Sequence, residues 1–255
     1  MVKRRAVSRA DKDLQPSTLP LLYKSLVPLT PERHSGFYFG TQRDFSYAST
    51  ANALPLTLDE FSPALRNFPI VLAGDGPVPT PVALVGYQAG RNDCVAEDGT
   101  WLDGHYIPAY VRRYPFALVR ESEGAARNIL CADLSSVIFD TAGEPDRALF
   151  NPDGSQGEVI SGVMEFCTKY DQAMARTRQA MTEAAELDLI QPSTVTVTRG
   201  GKSVQVDGFK IISEEKLRAL PDDTLVSLAR RGVLTIYAAH HLSLSNFSSF
   251  GSSAG

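Results

Sequence analysis

Two adjacent arginines set among tyrosines are the best candidates for binding chemistry in this chain. The segment Gly104 to Val119 carries Tyr106, Tyr110 and Tyr114, the pair Arg112 and Arg113, His105, and prolines 108 and 115, close behind the only tryptophan, Trp101. A guanidinium is a planar, permanently charged fork that pairs bidentately with carboxylate or phosphate and stacks on aromatic faces. Arg112 and Arg113, with Trp101, His105, Tyr106, Tyr110 and Tyr114 around them, could therefore clamp an anionic or aromatic group of a ligand or partner. The structural alternative pairs one arginine with an acid such as Asp103 and leaves the other in solvent. The prolines remove amide donors and fix φ, so the segment reads as a short helical turn from Pro108 to Arg113 followed by a strand, Phe116 to Val119.

The common catalytic signatures are missing from the sequence. No Gly-x-Gly-x-x-Gly follows a strand. Thr198-Arg-Gly-Gly-Lys-Ser203 ends like a phosphate loop, but Thr196 stands where the first glycine belongs, so a hairpin turn is expected there. Gly86-Tyr-Gln-Ala-Gly90 has glutamine in the place of a nucleophile. There is no His-Glu-x-x-His, no Cys-x-x-Cys, and no histidine two residues ahead of an acid. His240 and His241 are adjacent, about 100° apart on a helix, which suits one buried ring and one on the helix face better than a shared metal. His34 sits near a turn or helix start and reads as structural. The acids Asp140, Glu144, Asp146 and Asp153 lack calcium-loop spacing. A dispersed enzymatic site would draw on His105, His240 and His241 with Asp103 and Tyr114. No cofactor is expected.

The elements that must position these residues follow from pattern. Asp-Gly pairs at 75–76, 98–99, 103–104, 153–154 and 207–208 mark turns. Between them lie strand-like runs at 69–73, 81–87, 93–96, 116–119 and 129–132. Thr57-Leu-Asp-Glu60 has capping-box spacing and opens a helix that ends near Asn67, before Pro69. Apolar residues from Val159 to Leu189 recur at helical spacing, which predicts a long amphipathic helix over 158–189 ended by Pro192. An alternating hairpin over 194–206 turns at Gly200-Gly201, and a third strand is expected at 208–212. Ser213 caps a helix, Asp222 or Asp223 starts another, Gly232 ends it, and 233–244 forms a buried helix. The fold class is α+β: a mostly antiparallel sheet that could curl toward a barrel, a long amphipathic helix in the C-terminal half, a small hairpin sheet and terminal helices. The expected organisation is a flexible basic tail (1–18), a β-rich region (19–155), a helix-hairpin-helix region packed on it as one domain (156–245), and a Ser/Gly tail (246–255).

With 255 residues and a net charge of −4 the chain can bury a substantial core and has no general affinity for nucleic acid. Its three widely spaced cysteines do not form a disulfide framework, which fits a reducing compartment. The basic N-terminus lacks the apolar stretch of a Sec-type signal peptide, and no apolar run approaches the ~20 residues of a membrane span. A cytoplasmic protein is expected; a surface location would need another export route. The 158–189 helix could close the domain or form a homodimer seam.

Several strings resemble the SapC family of bacterial proteins: Leu21 to His34, Ala53 to Thr57 with Glu60-Phe61, Phe68 to Val71, Pro81 to Leu84, Tyr106-Ile-Pro-Ala-Tyr-Val-Arg-Arg-Tyr-Pro-Phe116, and Tyr237 to Phe247. The similarity runs over residues 19–248. The family is named from a surface-layer gene cluster, and relatives tend to be encoded near TonB-dependent receptors, flavin-dependent tryptophan-halogenase-like proteins and cupin-like hydroxylases. It implies no catalytic residue set. The resemblance therefore implies a non-catalytic accessory or binding protein of a surface-layer or outer-membrane transport system, acting on a protein partner. The alternatives are a metal- or oxygen-dependent modifying enzyme, or partner of one, with a non-contiguous site, and a secreted surface-layer component.

Overall fold

Alternation along single strands places apolar residues on both faces of the largest sheet, and that sheet organises much of the chain. The computed structural model describes residues 19–40, 44–120, 128–136, 138–199 and 202–249. In chain order they form β1 (Val27–Pro28), α1 (Pro31–His34), β2 (Tyr38–Phe39), β3 (Ala53–Pro55), α2 (Phe61–Ala64), β4 (Ile70–Ala73), β5 (Thr80–Leu84), α3 (Ala109–Arg112), β6 (Phe116–Arg120), β7 (Asn128–Ala132) and β8 (Phe139–Asp140). There follow α4 (Glu158–Glu186), β9 (Ile190–Arg199), β10 (Lys202–Ile212), α5 (Glu214–Arg218), α6 (Asp222–Arg230), α7 (Val233–Ser243) and α8 (Asn246–Ser249). The expected N-terminal tail, the hairpin turn at Gly200-Gly201 and the last six residues of the expected Ser/Gly tail lie outside the described residues; the first four of that tail form α8, with Phe247 buried.

The chain divides into two compact units, Met1–Asp44 with Arg113–Lys169 and Phe45–Arg112 with Tyr170–Gly255. The first holds the antiparallel sheet β1-β7-β6 and the pair β2-β8. Phe116, Leu130, Leu149 and Ile160 form its core, and Phe39 and Phe139 pack against Phe116 at ring distances of 5.4 and 5.7 Å. Arg147 lies over the Phe39 ring and donates to the carbonyls of Phe39 and Gly40, pinning the end of β2.

The second unit is built on a five-stranded antiparallel sheet in the order β3-β5-β4-β10-β9. Val71 joins a cluster with Val82, Val197, Phe209 and Phe247, while its neighbour Leu72 joins Met181, Ala184, Ile212 and Tyr237. Successive strand residues point to opposite faces, so α8 covers one face and α4 and α7 the other. The sheet stays open with β3 and β9 at its edges, and no barrel closes. Pro192 falls in the edge strand β9, where proline is tolerated.

Three expectations change. The hairpin is the edge of this larger sheet and not a sheet of its own. No third strand follows it, because β10 runs through Asp207-Gly208; Gly208 takes φ +75° and the register shifts between Val206 and Phe209, so the pair makes a bulge where a turn was expected. The 93–96 run contributes only an isolated bridge, Val95 to Trp101. There the Asn92 side chain accepts from the Cys94 amide at 2.9 Å and donates to the Ala48 carbonyl, taking a backbone donor that a ladder would need. Other local signals hold. The Thr57–Glu60 capping box forms, Ser213 Oγ accepts from the Lys216 amide, and Gly232 takes φ +74° after α6. The long helix ends at Glu186, and Asp188, at φ 54°, turns the chain into β9.

The two glycines around the start of α4 have opposite surroundings. A Cβ on Gly157 would lie 2.2 Å from the Ala148 carbonyl oxygen, whereas one on Gly162 meets nothing within 4 Å. Gly157→Ala should destabilise the protein by about 1–3 kcal/mol through overpacking against backbone. Gly162→Ala should stabilise it by about 0.5–1 kcal/mol through helix propensity. Urea unfolding of the two variants checks both signs.

Candidate functional site

Glu60 is the polar centre of the second unit. It is 5% exposed, and its carboxylate receives four hydrogen bonds: Thr57 N and Thr57 Oγ1 at 2.9 Å each on one oxygen, Tyr106 Oη at 3.0 Å and Ala109 N at 2.6 Å on the other. One oxygen thus completes the cap of the turn before α2, and the other holds the Tyr106 ring and the first amide of α3. Tyr106 is also tied by its amide to Asn67 Oδ1 at 3.0 Å. Burial first, and the Glu60 carboxylate second, push the Tyr106 phenol up to about 12, so it stays protonated and donates. Arg112 closes the chain of contacts. Its Nη2 donates to Tyr106 Oη at 3.1 Å, its Nε donates to the Ile107 carbonyl at 3.0 Å, and its guanidinium lies over the Tyr106 ring at 5.7 Å. The arginine itself is exposed.

Arg113 and Tyr114 belong to the other unit, which has a second buried carboxylate, Asp133, beside Tyr114. Asp133 accepts from the Lys24 amide at 2.6 Å, from Ser25 Oγ at 3.1 Å, and from Ser135 N and Oγ at 3.0 and 2.6 Å; Tyr114 Oη approaches at 3.5 Å. Burial alone would raise this carboxyl, but the donors from Ser135, Lys24 and Ser25 together hold it below the usual aspartate range. The Tyr114 phenol is pushed up to about 12 by burial and by Asp133. Tyr114 packs edge-on against Tyr23 at 5.2 Å, Tyr23 Oη donates to the Phe116 carbonyl at 2.7 Å, and the Arg113 guanidinium lies 5.7 Å from the Tyr23 ring centre.

The remaining expected residues take framework positions. Tyr110 is buried, 6.3 Å from Tyr170 on α4. Trp101 is 9% exposed, edge-on to Phe45, with its indole N–H buried and without a hydrogen-bond partner among the described residues. His105 lies against Phe68 at 6.1 Å, with Nδ1 3.1 Å from the Asp103 carbonyl. The adjacent histidines both serve the end of β10. His240 Nε2 accepts from the Ile212 amide at 3.2 Å, and His241 Nε2 bonds the Ile212 carbonyl at 2.8 Å. His240 is 1% exposed, and burial first, then the His241 ring, drive it down to about 3. His34 is buried, with Nδ1 on the backbone of Thr30. Among the described residues no three His, Cys, Asp or Glu side chains gather as a metal set. The three cysteines are buried and form no disulfide, and Cys94 and Cys131 are pushed up to about 12 and 11, mainly by burial.

Sequence reasoning saw Glu60 only as a cap and missed Asp133. A signal for the second was present. Asp98-Gly-Thr100, Asp133-Leu-Ser135 and Asp153-Gly-Ser155 share the Asp-x-Ser/Thr pattern, and in each the aspartate Oδ1 accepts both the amide and the hydroxyl two residues on. What makes Asp133 different is burial, which this local pattern does not report.

The family model of SapC matches residues 29–250 of the chain. No curated protein and no solved structure matches it. No helix among the described residues is long and apolar enough to cross a membrane.

Two measurements test these assignments. His240 resists protonation in the fold but accepts a proton when unfolded. Stability should therefore fall as pH drops below about 6.5 and go on falling until about 3. Asp133, with a depressed folded value, adds a loss only below about 4, where its unfolded form takes up a proton. Urea midpoints between about pH 6 and 4.5 should fall for the wild type and be nearly flat for His240→Gln. Separately, Tyr106→Phe removes the hydroxyl shared by Glu60 and Arg112 and should cost about 1–3 kcal/mol, read by thermal unfolding.

Proposed function

The chain belongs to the SapC family, and from that premise we propose that it is a non-catalytic accessory protein of a bacterial surface-layer or outer-membrane transport system that binds a protein partner. The observation that carries this reading is the mounting of Arg112. An exposed arginine loses much side-chain entropy on binding unless it is already held, and this one is held from behind by the Ile107 carbonyl, the Tyr106 hydroxyl and the Tyr106 ring. The anchor of that chain is Glu60, buried and fixed by three further donors, so the guanidinium is presented on a rigid base. Such a group recognises a carboxylate at a partner's surface. The net charge of −4 supports a protein partner over nucleic acid, and the three buried thiols support a reducing compartment, the cytoplasm.

Arg112 and Arg113 have separate duties in this reading: the first faces the partner, the second holds the fold over Tyr23. The test is affinity capture from host lysate with quantification of retained proteins, using wild type, Arg112→Ala and Arg113→Ala, each also melted. Arg112→Ala should lose a stoichiometric partner about tenfold or more while its midpoint moves by less than about 4 °C. Arg113→Ala should lower the midpoint and keep the partner at temperatures where it stays folded. Retention of the partner by Arg112→Ala overturns the assignment, as does a wild type that captures nothing in stoichiometric amount.

A further inference from the structure

The second unit contains a pocket of about 270 Å³ between the chain leading into β5 and one face of α4. One wall carries Pro77, Pro79 and Pro81; the other carries Met174, Arg178 and Met181. Lys210 holds the loop beside that wall in place, donating to the carbonyls of Gly74 at 3.0 Å and Gly76 at 3.2 Å. Three prolines remove three amide donors, and between the last two the exposed Thr80 adds a hydroxyl to the wall. Met174 is partly exposed, polarisable and able to adapt to the shape of what it touches, while Met181 behind it is 1% exposed and belongs to the core. Thr177, on the same face, has already given its hydroxyl hydrogen to the Ala173 carbonyl and accepts from the Leu58 amide.

The one charged group lining the pocket is the guanidinium of Arg178. It is exposed, and among the described residues it makes no hydrogen bond or ion pair, whereas its neighbour Arg176 is paired with Asp59 at 2.6 Å. No acidic residue lines the pocket. A lone planar fork matches a carboxylate, which it can meet bidentately. The volume lies just below the roughly 300–1,000 Å³ of sites for drug-sized molecules, which limits the apolar body to about one ring or a short branched chain.

We propose that this pocket binds a small monocarboxylic acid, with its carboxylate on Arg178 and its ring-sized apolar body against Met174 and Val78. The site is separate from Arg112 and goes beyond the partner-binding role, so either can fail without the other.

The probe is 3-phenylpropionate, followed in protein labelled with ¹³C at the methionine methyls. The chain has four methionines, and Met164 lies in the other unit as an internal control. A saturable shift of Met174 with Met164 unmoved is expected. Arg178→Gln, whose exposed site leaves folding intact, should weaken binding about tenfold, as should replacing the probe by the neutral 3-phenylpropanamide. No saturable shift in the millimolar range, equal binding of the amide, or unchanged binding by Arg178→Gln overturns the proposal. So does tighter binding of acetyl-Phe-Asp-amide than of the free acid, which would assign the pocket to a peptide segment.

Discussion

A carboxylate taken out of water has to find donors for both oxygens, and that requirement at Glu60 organises much of the second unit. An unpaired buried charge would cost several kcal/mol, so the turn that carries Glu60, the loop that carries Tyr106 and the start of α3 must arrive together or not at all. No direct cation balances the charge in these bonds. Two backbone amides and two hydroxyls do so, and Arg112 reaches it only through the Tyr106 hydroxyl. This makes the network a specifier of geometry more than a source of net stability. Its consequence at the surface is an arginine whose direction is set by a buried acid.

The first unit solves the same problem with other parts. Asp133 collects donors from Lys24 and Ser25, far away in sequence, and from Ser135 beside it. It thereby fastens the segment before β1 to the end of β7, and the Tyr23–Tyr114 contact lies alongside. Arg112 closes α3 and reaches Glu60 through the Tyr106 hydroxyl, while Arg113 follows in a turn and lies over the Tyr23 ring.

Some of this was legible residue by residue. The capping box at Thr57–Glu60, the Ser213 cap, Gly232 and the period of α4 were readable because each depends on groups three or four residues apart. Asp207-Gly208 was misplaced as a turn because the same left-handed glycine serves a turn or a bulge, and only pairing with β9 decides between them. The 93–96 run looked like a strand by composition, but the Asn92 side chain took the amide that a strand would have used. His240 and His241 were read as one buried ring and one on the helix face. That division holds, yet their common partner, the backbone of Ile212, lies 28 residues before His240 and leaves no local trace.

The sequence by itself determined the class of the fold and the positions of most elements, because helical period, strand alternation and caps are short-range consequences of backbone geometry. It also determined the family, through the Tyr106–Phe116 string above all. The tertiary structure alone decided what the conspicuous residues do. Whether an arginine faces solvent or covers a ring, whether a glutamate caps one turn or joins three segments, and whether a histidine is neutral depend on burial and on partners distant along the chain. Those are properties of the solvent-excluded interior, which exists only once the chain has folded.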